Sequence, residues 1–145
     1  MSYWVVDVSI AVKTALDITD ELEYFWENVD KDQISPCAPR LWLSEVTSAI
    51  RFLHSRKEIT SEEAERALRT IHGLRVEIIN EDEDLSLRAL EIAEKLGQNK
   101  AYDAFYVALA EKLAVEFWTG DERLANRCRK DLKLNWAHSI RELKR

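Results

Sequence analysis

Tyr3–Val6 is a short unbroken apolar run, rich in strand-favouring residues, and it ends on a carboxylate, Asp7. A run this short and this apolar reads as a strand buried on both faces. The pattern recurs at Ile34–Ala38, closed by Pro39, at Val76, Ile78 and Ile79, and at Val115–Trp118. A short last strand is expected over Asn135–Ala137. Helical periodicity fills the intervals between these runs. Strands that alternate with helices require a parallel sheet with helices on both faces, an α/β architecture. Ligands of such sheets bind beyond the carboxyl ends of the strands. Asp7 and Asp121 fall there, each at or close behind the end of an apolar strand.

The helices carry their own punctuation. A first helix is expected over Ser9–Leu16, and Thr19 is placed to cap a second that sets Leu22, Phe25, Trp26 and Val29 at helical spacing. Trp42, Val46, Ala49, Ile50 and Leu53 form one stripe, with Glu45 at its edge. Thr60 and Glu63 have the spacing of a capping box before Ala64, Ala67, Leu68 and Ile71, and Gly73 stops that helix. Leu85, Ala89, Ile92, Ala93 and Leu96 mark the next, stopped at Gly97. The stretch AYDAFYVALA, residues 101–110, opens a helix that runs to about Leu113. Asp121 precedes a helix holding Leu124, Ala125 and Cys128, and Ser139 is placed to cap a C-terminal turn.

Length and composition agree with one domain over residues 1–145: the chain is 46% hydrophobic and 33% charged, and its three Gly and two Pro leave little material for long loops. Cys37 and Cys128 form no CxxC pair and read as reduced thiols of a cytoplasmic protein. The opening MSYWVVDVSIAVK lacks a basic leader and is too short and interrupted to span a membrane, so no membrane association is expected. His54, His72 and His138 lack zinc-ligand spacing. A net charge of −6 argues against a non-specific nucleic-acid coat, which would be basic overall. It leaves room for a nucleic-acid enzyme with a local basic rim.

Four acids stand out by position. Asp7 ends a strand, Glu45 edges an apolar helix face, Asp103 is the lone charge in an otherwise apolar helix start, and Asp121 follows a strand. Each has an ordinary reading taken singly. Asp121 suits an N-cap, Asp7 with Ser9 a strand-to-helix turn, Glu45 a solvated flank, and Asp103 a cap near a frayed helix start. Asp103 is the hardest to explain in that way, because aspartate is rarely buried without a partner. Gathered by folding, the four would repel one another unless a cation sat among them. An all-oxygen set suits Mg²⁺ or Mn²⁺. Such an ion polarises phosphoryl oxygens and acidifies a water for in-line attack.

Four segments carry a resemblance: VVDVSIAVK at 5–13, APRLWLSEVTSAI at 38–50, AYDAFYVALAEKL at 101–113 and FWTGDERLAN at 117–126. In this order and spacing the chain resembles PIN-domain proteins of the VapC toxin type, over nearly its whole length. The resemblance implies a parallel five-stranded sheet flanked by helices on both faces, and a homodimer. It implies a Mg²⁺- or Mn²⁺-dependent endoribonuclease whose products carry a 5′-phosphate and a 3′-hydroxyl. The family's acids fall on Asp7, Glu45, Asp103 and Asp121, and its supporting hydroxyls on Ser9 and Thr119. Lys13, Arg40, Lys100 and Arg123 are the cations nearest the acids in sequence and are expected to steer RNA phosphates; ordinary solvated surface charge is the other reading of each. Where many relatives carry a small hydroxyl residue before the YDA segment, this chain has Asn99 and Lys100. Some relatives carry a further acid after the fourth; here Glu122 and Asn126 stand nearby.

The resemblance further implies an antitoxin whose tail covers an apolar groove. Phe25, Trp26, Trp42 and Phe52 are candidates for that groove or for the dimer, with the core as the alternative. An RNA-processing nuclease without a toxin role and a catalytically silent PIN scaffold are the rival readings. A dehalogenase-type phosphatase is disfavoured, because Asp7-Val8-Ser9 lacks the second acid of an Asp-x-Asp pair, and no Gly-rich phosphate loop occurs.

Overall fold

β1 (Ser2–Val6) lies at the centre of the sheet, paired in parallel with β2 (Ile34–Pro39) on one side and β4 (Glu116–Thr119) on the other. β3 (Glu77–Ile79) extends the sheet beyond β2, and β5 (Ala137–Ser139) extends it beyond β4. The order is β3-β2-β1-β4-β5, all parallel, in a computed structural model that describes residues 2–145. Successive strand residues point to opposite faces. Val5 and Val6 are both fully buried, as are Phe117 and Ala137, so helices cover both faces as the apolar runs require.

The helices are α1 (Val8–Leu16), α2 (Asp20–Asp30), α3 (Trp42–Ser55), α4 (Ser61–His72), α5 (Glu83–Lys95), α6 (Tyr102–Leu113) and α7 (Glu122–Asp131), with a 3₁₀ turn at Ile140–Glu142. Their starts follow local chemistry. Thr19 caps α2, Thr60 and Glu63 close a capping box on α4, and Asp121 caps α7 through its bond from the Leu124 N–H. Ser139 and Glu142 form a second capping box on the final turn. α6 is apolar almost all round, and Ala104 and Tyr106–Ala110 are buried against β1, β2 and β4 and against α5.

Two strands sit later than the sequence alone indicates. β4 starts at Glu116 rather than Val115, and β5 occupies Ala137–Ser139 rather than Asn135–Ala137. The cause is pairing: Phe117, Trp118 and Thr119 register with Ala137, His138 and Ser139. Of the aromatics proposed for a surface groove, Phe25 and Trp42 are core, and Trp26 is half-buried with its Nε1 donating to Thr14 Oγ1 at 2.9 Å. Phe52 alone of the four is exposed, at 57%. Cys37 and Cys128 are buried free thiols, both pushed up to about 12 by burial, which makes them poor nucleophiles. No helix among the described residues is long and apolar enough to cross a membrane.

The order matters for the site. The chain builds outward from β1 through β2 to β3, then crosses back to start again at β4 on the other side of β1. Such a reversal of strand order, between β1 and β4, is where sheets of this kind place their ligand sites, beyond the carboxyl ends of the strands. Asp7 follows β1 directly, and Asp121 stands two residues past the end of β4.

Candidate active site

Asp7 is 5% exposed, and two parallel relays hold its carboxylate. The Gly120 N–H donates to Ser9 Oγ at 2.7 Å, and the Ser9 hydroxyl donates to Asp7 Oδ1 at 2.5 Å. The Asp121 N–H donates to Thr119 Oγ1 at 2.9 Å, and the Thr119 hydroxyl donates to Asp7 Oδ2 at 2.5 Å. The two hydroxyls lie 3.2 Å apart. Thr119 is fully buried. Asp7 also caps α1 through the Ser9 N–H at 3.1 Å, so the ordinary capping reading and the site reading are both met by one residue. These bonds tie the end of β1 to the end of β4. Ser9 and Thr119 both contact Asp7 directly.

Burial still dominates the electrostatics. It pushes Asp7 up to about 7, against the two hydroxyls, and the charge of Asp103 adds to the rise. Asp103, half-buried in the first turn of α6, is raised by burial and by the charge of Asp121; a bond from Gln98 Nε2 to its Oδ2 at 3.0 Å opposes this. Glu45, in the first turn of α3, is raised by burial and by Asp103, and opposed by the Tyr106 hydroxyl, which donates to its Oε1 at 2.8 Å. Asp103 is thus the acid through which the other three sense one another. Asp7 and Glu45 are each within electrostatic reach of Asp103, and Asp103 is within reach of Asp121.

Asp121 is exposed and caps α7, so it too fills both of its readings. Each of the other three acids has turned to a neutral donor of its own: Asp7 to Ser9 and Thr119, Glu45 to Tyr106, Asp103 to Gln98. Among the described residues no three His, Cys, Asp or Glu side chains are drawn into a group tight enough to hold a metal ion as they stand. The donor set nonetheless fits a hard cation: it consists of carboxylate oxygens with hydroxyls beside them. Asp7, Glu45, Asp103 and Asp121 are the residues that could hold such an ion.

The expected cations separate by position. The Lys13 stem lies across Gly120: a Cβ there would stand 2.9 Å from Lys13 Cδ and Cε and 3.0 Å from Ser9 Oγ. This sets Lys13 beside the Asp7 relay. Arg123, in the first turn of α7, and Lys100, in the loop before α6, are both exposed close behind or before an acid in the chain. Arg40 is bound elsewhere. Its N–H bonds Glu81 Oε2 and Ile79 O, and its guanidinium bonds Asn80 Oδ1, so it is tied to the end of β3.

Two contacts were not anticipated. Tyr106 lies three residues after Asp103 on the same face of α6 and reaches Glu45 on another helix, a spacing that the sequence does contain. Gln98 lies in the turn between α5 and α6, and no local pattern marks it.

The description "PIN domain" matches residues 4–130. The chain is 41% identical over 96 residues to Ribonuclease VapC1 of Mycobacterium tuberculosis, covering 66% of this chain and 68% of that one. Among solved structures, PAE2754 from Pyrobaculum aerophilum superposes with a TM-score of 0.69 at 18% identity, over 98% of this chain and 86% of that one. VapBC2 from Rickettsia felis, bound to a DNA fragment from its promoter, gives 0.68 at 15% identity, over 94% and 98%.

Proposed function

The chain belongs to the PIN-domain family, with VapC-type relatives, and from that premise we propose that it is a Mg²⁺- or Mn²⁺-dependent endoribonuclease acting as the toxin of a toxin–antitoxin pair. The observation that carries this reading is geometric: at the carboxyl ends of β1 and β4, Ser9 and Thr119 hold both oxygens of Asp7, Asp121 follows two residues past β4, and Asp103 lies near enough for its charge to act on Asp7. The identity with a ribonuclease over two-thirds of the chain supports the choice of RNA as substrate.

In this reading Asp7, Asp103 and Asp121 hold the cation, directly or through water, and Glu45 helps to bind it or to orient the attacking water. The ion, when bound, supplies the charge that polarises the phosphoryl oxygens and favours ionisation of a water. Ser9 and Thr119 keep both oxygens of Asp7 fixed and pass the polarity of the Gly120 and Asp121 amides to it, the orienting task that metal ligands generally need. Lys13, Lys100 and Arg123 are placed to attract the RNA backbone to an otherwise acidic surface. Arg40 joins them only by leaving Asn80.

An antitoxin and a second copy of the chain are the proposed protein partners. The solved VapBC relatives support the antitoxin; the homodimer rests on family resemblance. Growth arrest on expression, relieved by a co-expressed neighbouring small gene, is the expected sign of the toxin role. Growth unaffected by an active nuclease would instead assign RNA processing.

The deciding experiment is cleavage of a pool of end-labelled RNAs, resolved on a denaturing gel, by the wild type and by Asp103→Asn. Cutting with Mn²⁺ or Mg²⁺ that stops with EDTA and falls to background in the variant supports the reading. Equal cutting by both proteins overturns the site. Absence of both cutting and Mn²⁺ binding in the wild type leaves the silent scaffold.

A further inference from the structure

The turn between α5 and α6 holds a side chain that reaches one of the four acids. α5 ends in a Schellman motif. The Gly97 N–H bonds Glu94 O at 3.0 Å, the Gln98 N–H bonds Ala93 O at 3.0 Å, and Gly97 takes a left-handed φ of +65°. Gln98 is therefore pinned by its own backbone to the end of a packed helix. From there its Nε2 reaches Asp103 Oδ2 at 3.0 Å.

The other end of the same amide is unmatched. Gln98 Oε1 is buried and, among the described residues, has no hydrogen-bond partner. Such a group is costly and calls for a reason. Here the reason is direction: a carboxylate accepts and cannot donate, so only the amide nitrogen can face Asp103, and the oxygen is left to point into the protein. α6 offers no substitute. Its N-cap is Ala101, with no side-chain cap, so nothing else from the turn restrains the first helical residues.

We propose that Gln98 is a positioning residue for Asp103: its amide, fixed by the helix stop at Gly97, restrains the Asp103 carboxylate and keeps it beside the other acids, where a divalent cation would draw on it. This rests on the metal-site reading above. Gln98 does not touch the ion or the RNA; it acts by removing freedom from the acid at the centre of the cluster. It also ties the cation site to the α5–α6 turn, so a change in that turn is felt at Asp103.

The test compares the full-length wild type with Gln98→Met, which keeps the shape and removes the amide, and Gln98→Asn, which keeps the amide and withdraws it by one methylene. Mn²⁺ alone is the probe, with affinity read from the EPR signal of the free ion. Thermal unfolding in EDTA is read alongside. Both variants are expected to bind Mn²⁺ about tenfold more weakly or worse, the size typical for loss of an outer-sphere partner. Gln98→Met is expected to unfold at the wild-type temperature or above it, because the unmatched oxygen goes too. A purely structural role would lower the unfolding temperature instead. Mn²⁺ affinity within twofold of wild type in either folded variant overturns the inference. So does a loss of affinity in Gln98→Met accompanied by a fall in metal-free stability. Failure of the wild type itself to bind Mn²⁺ overturns the metal-site reading on which the inference stands, an outcome distinct from the other two.

Discussion

The Tyr106 hydroxyl on α6 donates to Glu45 Oε1 on α3 at 2.8 Å, and both side chains stand close enough to Asp103 to feel its charge. Tyr106 is nearly fully buried, and burial followed by the charge of Glu45 drives its hydroxyl far above the ordinary tyrosine range. It is a fixed donor. Tyr106→Phe leaves Glu45 without that donor at a cost of about 1–3 kcal/mol. The expected result is a lower melting temperature and about tenfold slower cleavage at limiting Mn²⁺, with part of the rate restored at high Mn²⁺. Unchanged cleavage across a Mn²⁺ titration would remove Glu45 from the site.

Acidity should stabilise the metal-free protein. Asp7 ionises near 3.8 when unfolded and at about 7 when folded, and Asp103 and Glu45 shift in the same direction. Between these values the native state binds more protons than the unfolded state. Stability in EDTA therefore falls as pH rises from about 4 to about 7 and levels off above. Mn²⁺ replaces the proton as counter-charge, so the melting temperature at pH 7.5 should rise with Mn²⁺ and the rise should shrink towards pH 5. Calorimetry at four pH values with and without Mn²⁺ reads both slopes. A metal-free stability that increases over this range would contradict the burial of Asp7 without a counter-charge.

Thr119→Val keeps the shape and breaks one relay at both ends: the Asp121 N–H loses its acceptor and Asp7 Oδ2 loses its donor. Hydrogen bonds to charged groups are worth roughly 1.5–3 kcal/mol, so the melting temperature should drop by several degrees. Cleavage should drop about tenfold to a hundredfold. Ser9→Ala should do the same through Gly120 and Oδ1, and the two changes should not add, because the hydroxyls share Asp7.

Lys13→Ala tests phosphate steering separately from the acids. Cleavage of short RNAs should become less salt-sensitive, with the slope of log KM against log salt smaller by about one. Gly120→Ala should combine part of this effect with a loss of rate, since its Cβ would press on both the Lys13 stem and Ser9 Oγ. A salt slope unchanged in Lys13→Ala would return that lysine to the solvated surface.

What the sequence determined is what the period and the chemistry of neighbouring residues can determine. Alternating apolar runs and helical stripes specified a parallel sheet covered on both faces. Thr19, Thr60 with Glu63, Asp121 and Ser139 marked where helices and the last turn begin, because a cap acts within a few residues of itself. The four acids were legible because each stands at a strand end or on an apolar face. Tertiary structure decided everything that depends on which elements become neighbours. Pairing with β4 moved β5 two residues along the chain. Helix docking buried Phe25 and Trp42 while leaving Phe52 in solvent, and the end of β3 claimed Arg40. The contacts of Tyr106 with Glu45 and of Thr119 with Asp7 join residues far apart in the chain, and that of Gln98 with Asp103 depends on a turn between two helices. No local period encodes them; they exist because the order β3-β2-β1-β4-β5 brings the ends of β1 and β4 together and lays α6 across them.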